Sequence, residues 1–302
     1  MLPREYARSA YRRGLHYEAK LGENPFKFGM VGSTDTHTGL STAQEDNFFG
    51  KIAALEPTSD PIRFDEPVIG RLSDEDGKIR AWQANAAGLA AVWSRENTRE
   101  AIFDAMMRKE VYATTGTRLS VRVFAGYDFA ESDLTRSDFD AHGYANGVPM
   151  GADLPAASEG QVPRFMVRAL RDPDGANLDR IQVVKGWLNT DGSTSERIYD
   201  IACGERAIVD GSCEGKVGNS VNVAEANWAN DIGRALLAGY WQDPDFDPAQ
   251  RAFYYVRVLE IPTPRWTVND AKIFGQKLKE ADPRSNQERA YTSPVWNTPA
   301  HS

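Results

Sequence analysis

Asp35 and His37 are the residues of this chain whose types and spacing point most directly to chemistry. They stand two positions apart in the small, polar segment STDTHTG, residues 33–39. In an extended loop, side chains two residues apart point the same way, so this carboxylate and imidazole can contact one cation. The donors suit zinc, with manganese or iron as alternatives. The competing interpretation is a turn in which Asp35 caps backbone amides while His37 packs nearby.

Glu45 and Asp46, in QEDNFFGK, form the next candidate group. A carboxylate here could be a further metal ligand or could act on a metal-bound water. We interpret Glu45 as a solvated residue or a local N-cap, which leaves Asp46 as the candidate catalytic carboxylate. The chain has only 4 histidines, and none of the others is near His37 in sequence. With so few histidines, the chain does not build a histidine-rich binuclear site by itself. A single zinc site already uses about three protein ligands, usually with more than one histidine.

The elements that would position these residues fall into two regions. The pattern predicts a helix from Arg4 to Leu21 with a C-cap at Gly22, and a buried strand at FKFGMVG just before the polar loop. A long loop is expected over residues 56–83. A helix then begins at Asn97 or Thr98, ends at Lys109 and is expected to bury Ile102, Phe103, Met106 and Met107.

From Val111 onward the sequence is typical of short antiparallel strands. The runs RFMVRALRD, RIQVVKGWL, ERIYDIA, RAFYYVRVLEI and RAYTSPVW alternate with turn sequences such as DPDGAN, NTDGS and DPDFDP. This pattern predicts an antiparallel β-sandwich. The expected fold class is therefore α+β, with a domain boundary near Gly116.

Charge and composition exclude several classes of function. The formal net charge of -8 disfavours nucleic acid and anionic membranes as partners. No apolar run is long enough to span a bilayer, and the charged first residues do not form a signal peptide, so we leave the cytoplasm and the periplasm as alternatives. Cys203 and Cys213 are interpreted equally well as a disulfide or as two free thiols. There is no nucleophile elbow, GK[ST] phosphate loop or dinucleotide fingerprint.

Several stretches together resemble the domain of unknown function 3604 family, whose members look related to the PHP (polymerase and histidinol phosphatase) metal hydrolases. They cover most of the chain in order and are NPFKFGMVGSTDTHTGLSTAQEDNFFGK, AGLAAVWSRENTREAIFDAMMRKEVYATTGTR, GVPMGADLP, DPDGANLDRIQVVKGWL, DPDFDPAQRAFYYVRVLEIPTPRW and ERAYTSPVW. The resemblance implies that Asp35 and His37 bind metal in the last metal motif of a PHP-like barrel. It also implies that Thr115 and Arg118 lie near the pocket, with Arg118 as an anion contact or a structural salt bridge.

One departure from the family bears on the site. Family members are usually longer and begin their barrel with an H-x-H motif, which this chain lacks. We therefore expect residues 1–116 to be the C-terminal portion of a PHP-like α/β barrel and residues 117–302 to form the β-sandwich. A barrel without its early strands exposes edges and apolar surface, so we expect a homo-oligomer or a second chain that completes it.

Two functions are compatible with these features. The first is a metal-dependent hydrolase, or a portion of one, that acts on a small phosphate or related ester through metal-activated water. Asp46 and Arg118 are then its candidate catalytic residues. The alternative is a non-catalytic β-sandwich binding or oligomerisation module with a vestigial metal site, in which Trp228, Trp241 and Trp266 form a contact face.

Overall fold

The computed structural model describes residues 6–65, 80–86, 88–280 and 282–299. Helices and strands are mixed along this part of the chain, so the α+β class is confirmed. The α-helices are α1 (Ala7–Leu21), α2 (Ile62–Asp65), α3 (Arg99–Met107), α4 (Phe139–Asn146) and α5 (Trp266–Phe274). Short 3-10 helices cover Glu45–Asn47, Ala53–Leu55, Ala81–Gln83 and Glu131–Thr135.

The strands lie mainly in the second half of the chain, as the alternating pattern predicts. In chain order they are β1 (Leu89–Val92), β2 (Val111–Thr114), β3 (Ser120–Gly126), β4 (Val148–Pro149), β5 (Arg164–Leu170), β6 (Leu178–Leu188), β7 (Thr194–Cys203), β8 (Ile208–Val209), β9 (Ser212–Cys213), β10 (Leu236–Gln242), β11 (Ala252–Glu260), β12 (Thr263–Pro264), β13 (Ser285–Asn286), β14 (Arg289–Thr292) and β15 (Val295–Asn297). The predicted turns lie between β5 and β6, between β6 and β7, and between β10 and β11.

Two antiparallel sheets form the centre of the molecule. The larger has the order β1-β2-β14-β11-β6-β7, with β15 also paired to β11, and the smaller has the order β10-β5-β3-β4. Alternation along β3 directs Val121 and Val123 into the core that the two sheets share, while Phe124 packs with Phe139 on the outer side. The sheets therefore pack face to face, as in a sandwich.

Helix α1 covers the outer face of the larger sheet. Tyr11 and Leu15 are fully buried there against Phe253 and Trp296. The helix ends at Gly22, whose left-handed backbone (φ 80°) lets its N–H donate to the Glu18 carbonyl. The predicted helix and its C-cap are confirmed for the residues that the structure describes.

The first region differs from its predicted architecture. Residues 26–32, predicted as a buried strand, belong to no strand, and Phe28 and Val31 are exposed. Composition indicated an extended apolar segment, but it does not determine whether a neighbouring strand pairs with it. No closed barrel is formed by the described residues. Strands β1 and β2 precede Gly116 yet join the larger sheet through β14, and the boundary near Gly116 stays a prediction.

Helix α3 begins where predicted but buries a different face. Thr98 is its N-cap, and its hydroxyl accepts a hydrogen bond from the Ala101 N–H at 3.3 Å. Ala105 is the buried residue, whereas Phe103, Met106 and Met107 are 60%, 47% and 66% exposed. The prediction that these three side chains are core residues was wrong, because helical periodicity identifies an apolar stripe without identifying what covers it.

Cys203 at the end of β7 and Cys213 in β9 form a disulfide, which decides between the two interpretations of these residues. Their sequence separation of 10 closes a short loop, for which the chain-entropy model gives a stabilisation of about 2–3 kcal/mol. Within the described ranges, none of the helices has the length and apolar character that crossing a membrane requires.

Candidate metal-binding loop and acidic cleft

The polar loop that carries Asp35 and His37 begins beside β1 and β2. At Gly32, a Cβ would lie only 2.7 Å from the Leu89 carbonyl oxygen and 2.8 Å from that of Thr114, so this close approach requires glycine. The Gly88 N–H then donates to the Ser33 carbonyl at 2.9 Å. The chain is thereby fixed at the end of the larger sheet before it turns into the loop.

Asp35 and His37 lie together at the surface of this loop. The Asp35 Oδ1 is 3.6 Å from the His37 Nε2, and the two side chains are 78% and 70% exposed, respectively. Asp35 has a left-handed backbone (φ 50°), a conformation that aspartate adopts more readily than most residues. The predicted proximity of carboxylate and imidazole is therefore present, and neither side chain is enclosed by its own chain.

Lys51 ties the far end of the loop to its beginning. Its backbone carbonyl accepts a hydrogen bond from the His37 N–H at 2.7 Å, and its ammonium donates to the Thr34 carbonyl at 2.6 Å. Burial lowers the pKa of Lys51, while the negative charges of Asp35 and Glu45 oppose that shift. Lys51 thus holds the loop in shape and places a positive charge beside Asp35.

Glu45 and Asp46 have different roles although they are adjacent. The Glu45 carboxylate accepts hydrogen bonds from the backbone N–H of Trp266 at 2.6 Å and from the backbone N–H of Ala86 at 3.3 Å. It therefore caps the first turn of α5, a distant helix rather than the local one that we expected. Asp46 is exposed and faces a cleft between this loop and the sandwich.

That cleft, of about 100 Å³, is strongly acidic, and we call it the acidic cleft. Thr117 and Trp228 also line it. Its carboxyl groups belong to Glu45, Asp46, Asp172, Asp174, Glu260 and Glu288.

Two of these groups, Glu260 and Glu288, are protonatable near neutral pH. Burial raises the pKa of Glu260 to about 8. The Thr117 hydroxyl, which donates a hydrogen bond to this carboxyl at 2.5 Å, acts in the opposite direction and lowers the pKa. Burial likewise raises the pKa of Glu288 to about 7; the Thr115 hydroxyl donates to this carboxyl, as does the Asn286 amide. Carboxyl groups with such shifts in a cleft are candidates for general acid–base roles.

Arg118 lies at the rim of the acidic cleft in a network with two carboxylates. Its guanidinium contacts Asp172 through Nε and Nη2, each at 3.1 Å, and Asp174 at 2.5 Å. The Arg118 backbone N–H also donates to Asp172 at 2.8 Å. These contacts match the salt-bridge alternative for Arg118, since its charge is already shared by two carboxylates.

The predicted site residues thus lie in two neighbouring regions rather than in one. Asp35 and His37 lie on the loop, and Asp46 and Arg118 lie at the acidic cleft. Glu260 and Glu288 were not among the residues predicted from the sequence. The available signal was a single carboxylate at the end of an otherwise apolar strand, in VRVLEI, and another beside the β14 run.

One other group of side chains has a metal-like spacing. Asp200, Cys203 and Cys213 offer ligand atoms that lie within 4.8 Å of one another, and no other trio of this kind occurs among the described residues. Both cysteines are used in the disulfide, and Asp200 accepts hydrogen bonds from the Cys213 N–H and the Gln182 amide. The group therefore supplies no thiolate, which argues against a metal there.

Comparison with known proteins gives a family without an assigned activity. Residues 1–299 match a family model described as a protein of unknown function, DUF3604. No curated protein and no solved structure matches the chain.

Proposed function

We propose, from the premise that this chain belongs to the DUF3604 family, that it is a PHP-like metal-dependent hydrolase or a portion of one. Its substrate class is a small phosphate or related ester. Asp35 and His37 supply two of the metal ligands, and zinc is the expected ion, with manganese or iron as alternatives.

The Asp35–His37 pair is the observation that carries this proposal. Metal–ligand bonds of about 2.0–2.2 Å at a tetrahedral angle separate two ligand atoms by roughly 3.3–3.6 Å. The 3.6 Å between the Asp35 Oδ1 and the His37 Nε2 lies at the upper end of that range. Lys51 opposes a cation at this point, so further anionic ligands are needed to hold one.

Two donors do not complete a zinc site, which uses about three protein ligands. We infer that the others come from a second copy or from a chain that completes the barrel. The exposed apolar side chains of α3, Phe103, Met106 and Met107, support such an association, because apolar patches of this kind mark interfaces. Sedimentation of one monomeric species at every concentration, with and without zinc, would contradict the second copy and leave a different chain as the source.

The residues of the acidic cleft would support the chemistry beside the metal loop. A bound divalent ion lowers the pKa of its water ligand and stabilises charge on an ester oxygen. Glu260 and Glu288 hold protons near neutral pH and can donate them to a leaving group, and Asp46 is exposed to accept one. Arg118 orients Asp172 and Asp174 rather than binding substrate directly.

The disulfide supports the periplasm over the cytoplasm, because thiols are kept reduced in most cytosolic proteins. Alkylation of intact cells before lysis, followed by mass measurement, tests this inference. Two alkylated cysteines would contradict it.

The hydrolase proposal predicts that His37→Ala lowers metal-dependent turnover of p-nitrophenyl phosphate by on the order of 100-fold or more, because a lost ligand affects both metal affinity and metal position. His16→Ala is the matched control, since His16 is exposed on α1. Equal turnover in His37→Ala, His16→Ala and the unaltered protein would show that His37 is not a metal ligand. If the unaltered protein hydrolysed no phosphate, sulfate or carboxylate ester, the proposal would fail.

The alternative, a non-catalytic binding module, has weaker support from its aromatic residues. Trp266 is 1% exposed in the core, and Trp241 packs against Phe165 and Tyr199. Trp228 lines the acidic cleft and is the member of this group that a ligand in that cleft would contact.

A further inference from the structure

A second and larger cavity lies on the other side of the β1 and β2 ends, between α3, β3 and α4. Its volume is about 680 Å³, within the range of small-molecule sites. We call it the arginine groove, after Arg95, Arg108 and Arg122, which line it together with Trp93, Glu110 and Tyr144. As far as the chain is described, none of its lining residues belongs to the acidic cleft or to the Asp35–His37 loop.

Arg122 forms a fixed, positively charged floor. Its side chain is only 14% exposed, and its Cζ stacks 4.1 Å from the centre of the Trp93 ring. The guanidinium donates to Glu110 at 3.2 Å, to Asp140 at 2.9 Å and to the Tyr144 hydroxyl at 3.1 Å. Contacts on so many sides hold the guanidinium in one orientation.

Arg95 and Arg108 form the rim. The Arg108 side chain is 56% exposed and reaches only the edge of Glu110, at 3.5 Å. Arg95 is exposed and makes no ion pair within the part of the chain that the structure describes. The Arg95 guanidinium and the donors of Arg108 that do not face Glu110 can therefore reach a ligand that enters the groove.

The charge of the groove contrasts with the rest of the protein. Its lining carries three arginines against the carboxylates of Asp104 and Glu110, with Asp140 as a further partner of Arg122, while the chain as a whole has a net charge of -8. Glu110 is 3% exposed and already engaged by Arg122 and by the Tyr144 hydroxyl. Among the described residues that line the acidic cleft there is no arginine or lysine, and Arg118 at its rim is paired with Asp172 and Asp174.

We propose that the arginine groove binds a small organic anion, a sugar-sized ring that carries a carboxylate or phosphate group. Arg95 and Arg108 match such a group because their forked donors pair with carboxylate and phosphate oxygens in bidentate geometry. Trp93, Tyr144 and Pro149 provide flat walls for the ring. This site is independent of the proposed hydrolase chemistry.

Calorimetric titration with glucuronate, glucose 6-phosphate and glucose tests the proposal on the full chain. We expect at least one of the two anions to bind at least tenfold more tightly than glucose, with affinity that falls as salt is added. The two anions distinguish a carboxylate site from a phosphate site. Two anions that bind no more tightly than glucose would overturn the proposal.

The double variant Arg95→Ala/Arg108→Ala assigns the binding to the groove. Because both side chains are exposed, we expect the variant to fold and to bind the preferred anion at least tenfold more weakly. Arg234→Ala is the control, since Arg234 pairs with Glu205 at the surface and lies outside the groove. Unchanged affinity in the double variant would overturn the assignment. The protein with His37→Ala should bind the anion with unchanged affinity, which would separate this site from the Asp35–His37 loop.

Discussion

Glu260→Gln is expected to make the protein more resistant to unfolding above neutral pH and to flatten the pH dependence of its unfolding free energy. The native protein keeps a proton on Glu260 up to a pKa of about 8, whereas an unburied glutamate releases it near 4.5. Between these values the native state binds more protons than the unfolded state. The free energy of unfolding must then fall as pH rises.

The sign and size of this effect follow from proton linkage. The contribution of Glu260 is fully present below about pH 4.5 and is lost as pH rises through about 8. Over that range the slope reaches about 1.4 kcal/mol per pH unit for one proton. Glu288, with a pKa of about 7, adds a contribution of the same sign. Glutamine stays neutral at every pH and keeps an oxygen that can accept the Thr117 hydrogen bond.

Urea unfolding between about pH 5 and pH 9 measures the effect. The difference between Glu260→Gln and the unaltered protein should widen steadily in favour of the variant as pH rises. Glu159→Gln, at an exposed turn, controls for the loss of one negative charge. Parallel profiles for the Glu260 variant and the unaltered protein would show that Glu260 is ionised in the native state.

Arg63→Met is expected to destabilise the protein by about 3–5 kcal/mol, because it leaves a buried charge without its partner. Arg63 is 1% exposed and forms a salt bridge with Asp270 of α5. It also donates to the Phe48 carbonyl at 2.6 Å and stacks 4.8 Å from the centre of the Trp266 ring. This one side chain therefore joins the segment after the Asp35–His37 loop to α5.

Chemical denaturation of three variants separates this role from a surface charge effect. Arg63→Met/Asp270→Asn should recover part of the loss, since it removes the unpaired carboxylate as well. Arg234→Met breaks an exposed pair with Glu205 and should change the stability by less than about 1 kcal/mol. A comparably small loss in Arg63→Met would contradict the account of the buried pair.

The strands of the sandwich could be predicted because their local signals agree with their tertiary packing. RIQVVKGWL became β6 and RAFYYVRVLEI became β11, each bounded by turn sequences that end a strand. The apolar stripe of α3 and the apolar run before the Asp35–His37 loop had equally clear local patterns. Their burial depends on neighbouring elements, so local patterns could not predict it.

The site shows the same division between local and distant contacts. Asp35 and His37 are close in sequence, and their spacing was enough to predict that their side chains meet. Glu260 and Glu288 come together because β11 pairs with β14, and the Glu260 N–H donates to the Glu288 carbonyl at 2.8 Å. The carboxylate partners of Arg118 also come from a distant turn, which is why its two interpretations could not be separated from sequence.

The zinc content per chain, measured by elemental analysis, tests the metal assignment most directly. The protein in its natural state of association is equilibrated with zinc and then separated from free metal. The variant Asp35→Ala/His37→Ala is treated in the same way. The control is Asp60→Ala/His16→Ala, which removes an exposed aspartate and an exposed histidine elsewhere. The account predicts about one zinc per chain in the unaltered protein and the control, and none in the Asp35/His37 variant. Zinc retained by that variant, or absent from the unaltered protein, would contradict the assignment of this loop as a metal site.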